Sequence, residues 1–123
     1  MRFMLDSNAM ILLLDLDQRV LRRASECFEG ELCSSAIAYA EVVRGTAAGK
    51  SPARDLLDQA TATIPILPFD QAAADLYARL PFRRHRFDRL IAAHALALDL
   101  TLVTANMSDF ADVPGLKVEN WTK

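Results

Sequence analysis

Short apolar runs that stop abruptly at polar residues alternate along this chain with longer stretches of helical spacing, and few folds accommodate that rhythm. Residues 2–5 form such a run and end at Asp6-Ser7-Asn8, the pattern of a buried parallel strand whose carboxyl end carries function. Residues 8–14 and 18–27 have helical spacing, with a break at 15–17 and Gly30 as a stop. Residues 31–34 read as a second strand, and Ser35 is placed to cap a helix that Gly45 ends. Pro52, harmless at a first helical position, opens a helix to about Ala62, and residues 63–67 make a third strand. Asp70 caps a helix reaching about Leu80, residues 81–86 form a loop, and Phe87-Asp88 opens a helix to Leu98. A fourth strand over 100–104, a helical turn over 108–111 and a last strand near 116–118 complete the series. The expectation is an α/β fold: one domain over 1–123, with a central, mostly parallel, twisted sheet of four to five strands and helices on both faces.

With 123 residues, 52% of them hydrophobic and 24% charged, the chain can bury a core without disulfides or structural metals. Its longest apolar stretches, such as residues 9–14, fall far short of the roughly 20 residues that span a bilayer, which argues against a membrane protein. The first residues lead directly into a strand-like run without a signal-peptide core, so a cytoplasmic location is expected. Cys27 and Cys33 match no common zinc spacing and read as reduced thiols. His85 and His94 lack a ligand pattern, and His94 reads as a packed core residue. The four glycines are scattered, so neither a P-loop nor a dinucleotide fingerprint can be assembled.

The net charge of −2 gives no global attraction for nucleic acid, but Arg79, Arg83, Arg84, Arg86 and Arg89 crowd into one segment in which Asp88 is the only acid. Such a cluster is either a solvated surface or a basic rim around one carboxylate. Three further acids, Asp6, Glu41 and Asp109, also stand beside apolar sequence at element edges. Each has an ordinary explanation alone. Asp6 could be a turn or N-cap residue, Glu41 could pair with Arg44 one helical turn on, Asp88 could favour a helix dipole, and Asp109 could cap a loop. Taken together at the carboxyl ends of strands, where α/β sheets open a crevice, they could bind a hard divalent cation. That cation would offset their mutual repulsion and support phosphodiester hydrolysis by activated water.

The ordered fragments carry a resemblance. Phe3-Met4-Leu5-Asp6-Ser7-Asn8, residues 34–45 around Glu41, Phe87-Asp88-Arg89-Leu90-Ile91-Ala92-Ala93-His94-Ala95, and Thr101-Leu102-Val103-Thr104-Ala105-Asn106 resemble the PIN-domain ribonucleases. Asp109-Phe110 and residues 114–121 extend the likeness over nearly the whole chain, and within the family it is to the VapC-type toxins of toxin–antitoxin pairs. The resemblance implies Asp6, Glu41 and Asp88 as the acidic centre for Mg²⁺ or Mn²⁺, with Ser7 and Asn8 orienting Asp6 and Thr104 and Asn106 as supporting polar residues. Many relatives carry an acid where this chain has Asn106, so the fourth acid becomes Asp109, acting directly or through water. Arg83, Arg84, Arg86 and Arg89 would hold RNA phosphates. The implied activity is cleavage of structured RNA, transfer or ribosomal. The implied partners are a VapB-type antitoxin and a second copy of the chain, as a homodimer within a higher assembly. The same residues leave open a catalytically inactive RNA- or partner-binding module, or a metal-dependent DNA nuclease or phosphatase.

Overall fold

A computed structural model describes residues 1–81 and 86–123, with Arg86 described by its backbone alone. Five strands, β1 (Phe3–Leu5), β2 (Leu32–Ser35), β3 (Ile66–Leu67), β4 (Thr101–Val103) and β5 (Val118–Glu119), form one sheet in the order β3-β2-β1-β4-β5. Every pairing is parallel, with Leu5 opposite both Ser34 and Val103. The chain therefore steps from β1 outward to β2 and β3, then crosses back past β1 to β4 and β5. That reversal places a crevice between the carboxyl ends of β1 and β4, the position where α/β folds bind ligands.

Side chains alternate across β1, and the alternation divides the core into two layers. Phe3 and Leu5 pack with Met10, Val42, Leu57 and Trp121. Met4 points the other way, into a layer with Cys33, Ile91, Ala92, Leu102 and Phe110. Helices α1 (Ser7–Leu14), α2 (Gln18–Ser25) and α4 (Arg54–Thr61) contribute to the first layer, and α6 (Arg86–Ala97) contributes to the second. Helix α3 (Ala36–Ala47) serves both, through Val42 and Ala38. Helix α5 (Gln71–Tyr77) packs on α6.

Local chemistry sets the helix starts. Asp6, Asp17, Ser35 and Asp70 all accept backbone N–H groups as N-caps, satisfying donors that a first turn leaves unpaired. Several expected boundaries differ: α2 ends at Ser25 rather than at residue 27, α5 ends at Tyr77 rather than about Leu80, and β5 is Val118–Glu119. Helix α3 continues through Gly45 to Ala47, and the chain turns at Gly49, whose φ of 88° suits a residue without a side chain. Helix α4 begins at Arg54 rather than Pro52, which is buried and whose carbonyl accepts the Thr46 hydroxyl at 2.7 Å. The third strand shrinks to two residues, since the amides of Thr63 and Ile64 both turn back to the Ala60 carbonyl. Residues 107–110 form a 3₁₀ turn, Met107–Phe110, where a brief helical turn is expected.

The cysteines are free thiols, Cys33 buried and Cys27 half-buried. Among the described residues no helix is long and apolar enough to cross a membrane.

Candidate active site

Asp6 occupies the crevice. It follows β1 directly, its amide donates to the Val103 carbonyl at 3.0 Å, and its Oδ1 accepts the Ala9 amide at 2.8 Å as the cap of α1. The side chain is only 5% exposed. Burial pushes its carboxyl up from 3.8 to about 6, the charges of Asp88 and Glu41 add to the rise, and hydrogen bonds from Thr104 and Ala9 hold it back. Thr104, buried at the tip of β4, donates its hydroxyl to Asp6 while its oxygen accepts the Asn106 amide at 3.0 Å.

Glu41 approaches from the middle of α3. Its carboxyl is raised, chiefly by burial and further by Asp88, while the Ser7 hydroxyl lowers it by hydrogen bonding. Oε1 of Glu41 is buried without a hydrogen-bond partner among the described residues. No ion pair to the exposed Arg44 forms among the described residues, which removes the structural explanation for this acid. Asp88, in the first turn of α6, completes a trio whose charges act on one another.

The remaining residues sort differently from the sequence expectations. Ser7 bonds Glu41 rather than Asp6, and Asn8 is exposed in the first turn of α1. Asp109 stands on the 3₁₀ turn, where its Oδ2 accepts Asn106 Nδ2 at 2.6 Å, and the Ser108 hydroxyl donates to Asn106 Oδ1 at 3.0 Å. The acids that raise Asp6 are Asp88 and Glu41, and Asp109 is not among them. Arg89 corrects an expectation: it is 3% exposed and donates to the Asp109 carbonyl and, at 2.8 Å, to Asp112 Oδ1. A side chain turned into the interior in this way cannot line an RNA-binding rim. Arg83 and Arg84, and the side chain of Arg86, lie outside the described residues.

Two features escape sequence reading. Asp112, the carboxylate partner of Arg89, has no local signal in Ala-Asp-Val-Pro. The buried His94 places Nδ1 2.8 Å from Ser35 Oγ, the same oxygen that caps α3 through the Ile37 amide. A histidine within an alanine run signals burial, but nothing in the run names its distant partner.

Among the described residues no three His, Cys, Asp or Glu side chains are gathered closely enough to hold a metal ion unaided. The donor set nevertheless fits a hard divalent cation, which binds through one or two carboxylates and retains waters. The orphaned Glu41 oxygen and the raised Asp6 carboxyl are the groups such an ion would stabilise.

A parallel sheet with an acidic crevice at its topological switch point is the architecture of a family that the sequence itself matches. Over residues 3–116 the chain matches the PIN domain, and it belongs to that family. It is similar to the tRNA(fMet)-specific endonuclease VapC of Shigella flexneri, 29% identical over 131 residues with 99% of each chain covered. It is also similar to Ribonuclease VapC2 of Haemophilus influenzae, 27% identical with 98% of each covered. Among solved structures it resembles VapBC2 from Rickettsia felis bound to a DNA fragment from its promoter, with a TM-score of 0.87 at 26% identity over 98% of this chain and 99% of that one.

Proposed function

We propose that this chain is a metal-dependent endoribonuclease, the VapC-type toxin of a toxin–antitoxin pair. One observation carries the reading: Asp6, Glu41 and Asp88 bear on one another at the crevice, with a Glu41 oxygen buried and unpartnered. Fold stability alone does not favour gathering one buried and two half-buried acids that repel one another. Full-length similarity to VapC ribonucleases supports the activity, and similarity to solved VapBC complexes supports a VapB-type antitoxin as partner.

Asp6, Glu41 and Asp88 would hold Mg²⁺ or Mn²⁺. When bound, such a cation neutralises phosphate charge and makes water a stronger nucleophile. Asp6 is fixed by Ala9 and Thr104, so its carboxylate stays aimed into the crevice without reorganisation. Ser7 holds one Glu41 oxygen and leaves the other available. Asp109, held by Asn106, adds negative charge at the margin rather than a direct ligand. Arg83, Arg84 and Arg86 are assigned the phosphate contacts that retain a polyanion beside these acids. The substrate is structured RNA met in the cytoplasm, with transfer RNA the first candidate, and the active form is a homodimer that assembles further with the antitoxin.

Purified wild type, Asp6→Asn and Asp88→Asn incubated with tRNA and Mn²⁺ provide the test. Cleavage by the wild type that EDTA stops and either substitution abolishes is expected. Undiminished cleavage by a folded variant overturns the assignment; RNA binding without product in any divalent metal identifies a binding module, and preferential cutting of DNA identifies a DNA nuclease.

A further inference from the structure

Arg89 is an expensive residue to bury. Its guanidinium lies in the interior, Nη2 alone makes both of its hydrogen bonds, and Nε and Nη1 are buried without partners among the described residues. An apolar side chain of similar length would fill the same space without stranding donors, so packing does not account for an arginine here. What Nη2 does achieve is a cross-link. It joins the first turn of α6, where Asp88 stands, to the Asp109 carbonyl and the Asp112 carboxylate around the 3₁₀ turn.

That link closes a circuit around the crevice. Asp6 is bonded by Thr104, Thr104 by the Asn106 amide, and Asp109 Oδ2 by the Asn106 side chain; the Asp109 carbonyl in turn accepts Arg89, the neighbour of Asp88. We infer that Arg89 is a positioning residue of the active site: by clamping the 3₁₀ turn to α6, it sets where Asp88 stands relative to Asp6 and Thr104. The inference rests on the nuclease reading above, and it assigns Arg89 no contact with RNA.

Full-length Arg89→Lys, Arg89→Met and Asp112→Asn are compared with the wild type in three measurements: cleavage of a dye–quencher RNA oligonucleotide at saturating Mn²⁺, Mn²⁺ affinity by calorimetry, and thermal unfolding. Lysine keeps the charge but cannot reproduce the guanidinium fork. Arg89→Lys should lower kcat tenfold or more, change KM less than twofold and weaken Mn²⁺ binding tenfold, with Asp112→Asn shifting each the same way. Leu57→Val, in the opposite core layer, should retain full kcat per folded molecule despite lost stability. Loss of kcat only in proportion to the unfolded fraction overturns the inference, as does a raised KM at unchanged kcat, which would make Arg89 a phosphate contact. If both Arg89 variants fail to fold, Asp112→Asn decides, since its partly exposed carboxylate can be neutralised with the arginine intact, and an unchanged kcat refutes the clamp. Should the wild type cleave no RNA, the nuclease reading fails separately, and Mn²⁺ affinity still decides: tenfold weakening in Arg89→Lys supports the clamp, and unchanged affinity refutes it.

Discussion

The Asp6 carboxylate accepts the Ala9 amide at 2.8 Å, so the acid at the centre of the crevice is also the cap that starts α1. Structural and chemical roles can therefore be separated by one substitution, because asparagine caps as well as aspartate but carries no charge. Asp6→Asn should abolish RNA cleavage and yet be more stable than the wild type at pH 7 without metal, by about 1–3 kcal/mol, the size of a shift of about two pKa units with some relaxation allowed. Urea unfolding in EDTA measures this, and a less stable variant would show that the carboxylate's hydrogen bonds from Ala9 and Thr104 outweigh the cost of burying its charge.

The same difference should depend on pH. In the folded state Asp6 titrates at about 6, above its ordinary 3.8, so between those values the native state holds a proton that the unfolded chain has released. The contribution to stability is whole below about pH 4 and is lost as pH rises through 6. The advantage of Asp6→Asn should thus vanish near pH 4 and reach its plateau above pH 7, and millimolar Mn²⁺ at pH 7 should stabilise the wild type more than the variant. Unfolding midpoints of both proteins at pH 4, 5.5 and 7.5 would reveal a flat difference if the assignment is wrong.

How far the site could be read from sequence depends on how locally each residue is determined. Asp6, Ser35 and Asp70 are legible as caps because a cap is a contact over two or three residues, and Glu41 stands out because its apolar neighbours leave it no obvious solvated face. Side-chain direction is less legible. Ser7 follows Asp6, yet successive helical residues are rotated by about 100°, which turns its hydroxyl to Glu41 on α3. The same rotation separates Arg89 from Asp88 and carries it from the expected basic rim into the interior. Partners such as Asp112 for Arg89 and Ser35 for His94 arise only when the segment after the 3₁₀ turn and the start of α3 come against α6, so no window of sequence contains them.

Glu41 invites a second separation of binding from folding. One of its oxygens is satisfied by Ser7, and Oε1 has no partner among the described residues, so Glu41→Gln removes a charge that the fold does not need. Calorimetric titration with Mn²⁺ should show affinity at least tenfold weaker, with the apparent melting temperature of the metal-free protein equal or higher. Unaltered Mn²⁺ affinity would exclude Glu41 from the metal centre. Ser7→Ala should weaken cleavage by a smaller factor, because it frees Glu41 to rotate without removing it.

His94 predicts behaviour at the acid side, opposite in sign to Asp6. Burial lowers its pKa below 6.5, with Asp70 and a hydrogen bond to the Pro68 carbonyl pulling the other way. With one ring nitrogen bonded to that carbonyl, Nδ1 is left to accept the Ser35 hydroxyl 2.8 Å away, and the ring packs edge-on against Phe69. Protonation would place a second donor where an acceptor is required. Because the unfolded histidine takes its proton first, the stability contributed by the neutral ring is present above pH 6.5 and is lost as pH falls below it. His94→Gln should cost about 1–3 kcal/mol at pH 7.5, the range for disturbing a buried hydrogen-bonded group. That cost should shrink steadily toward pH 5, since only the wild type carries the titration. Urea unfolding of both proteins across pH 5–7.5 decides the matter, and a cost that stays constant over that range would mean the imidazole is not held neutral by the fold.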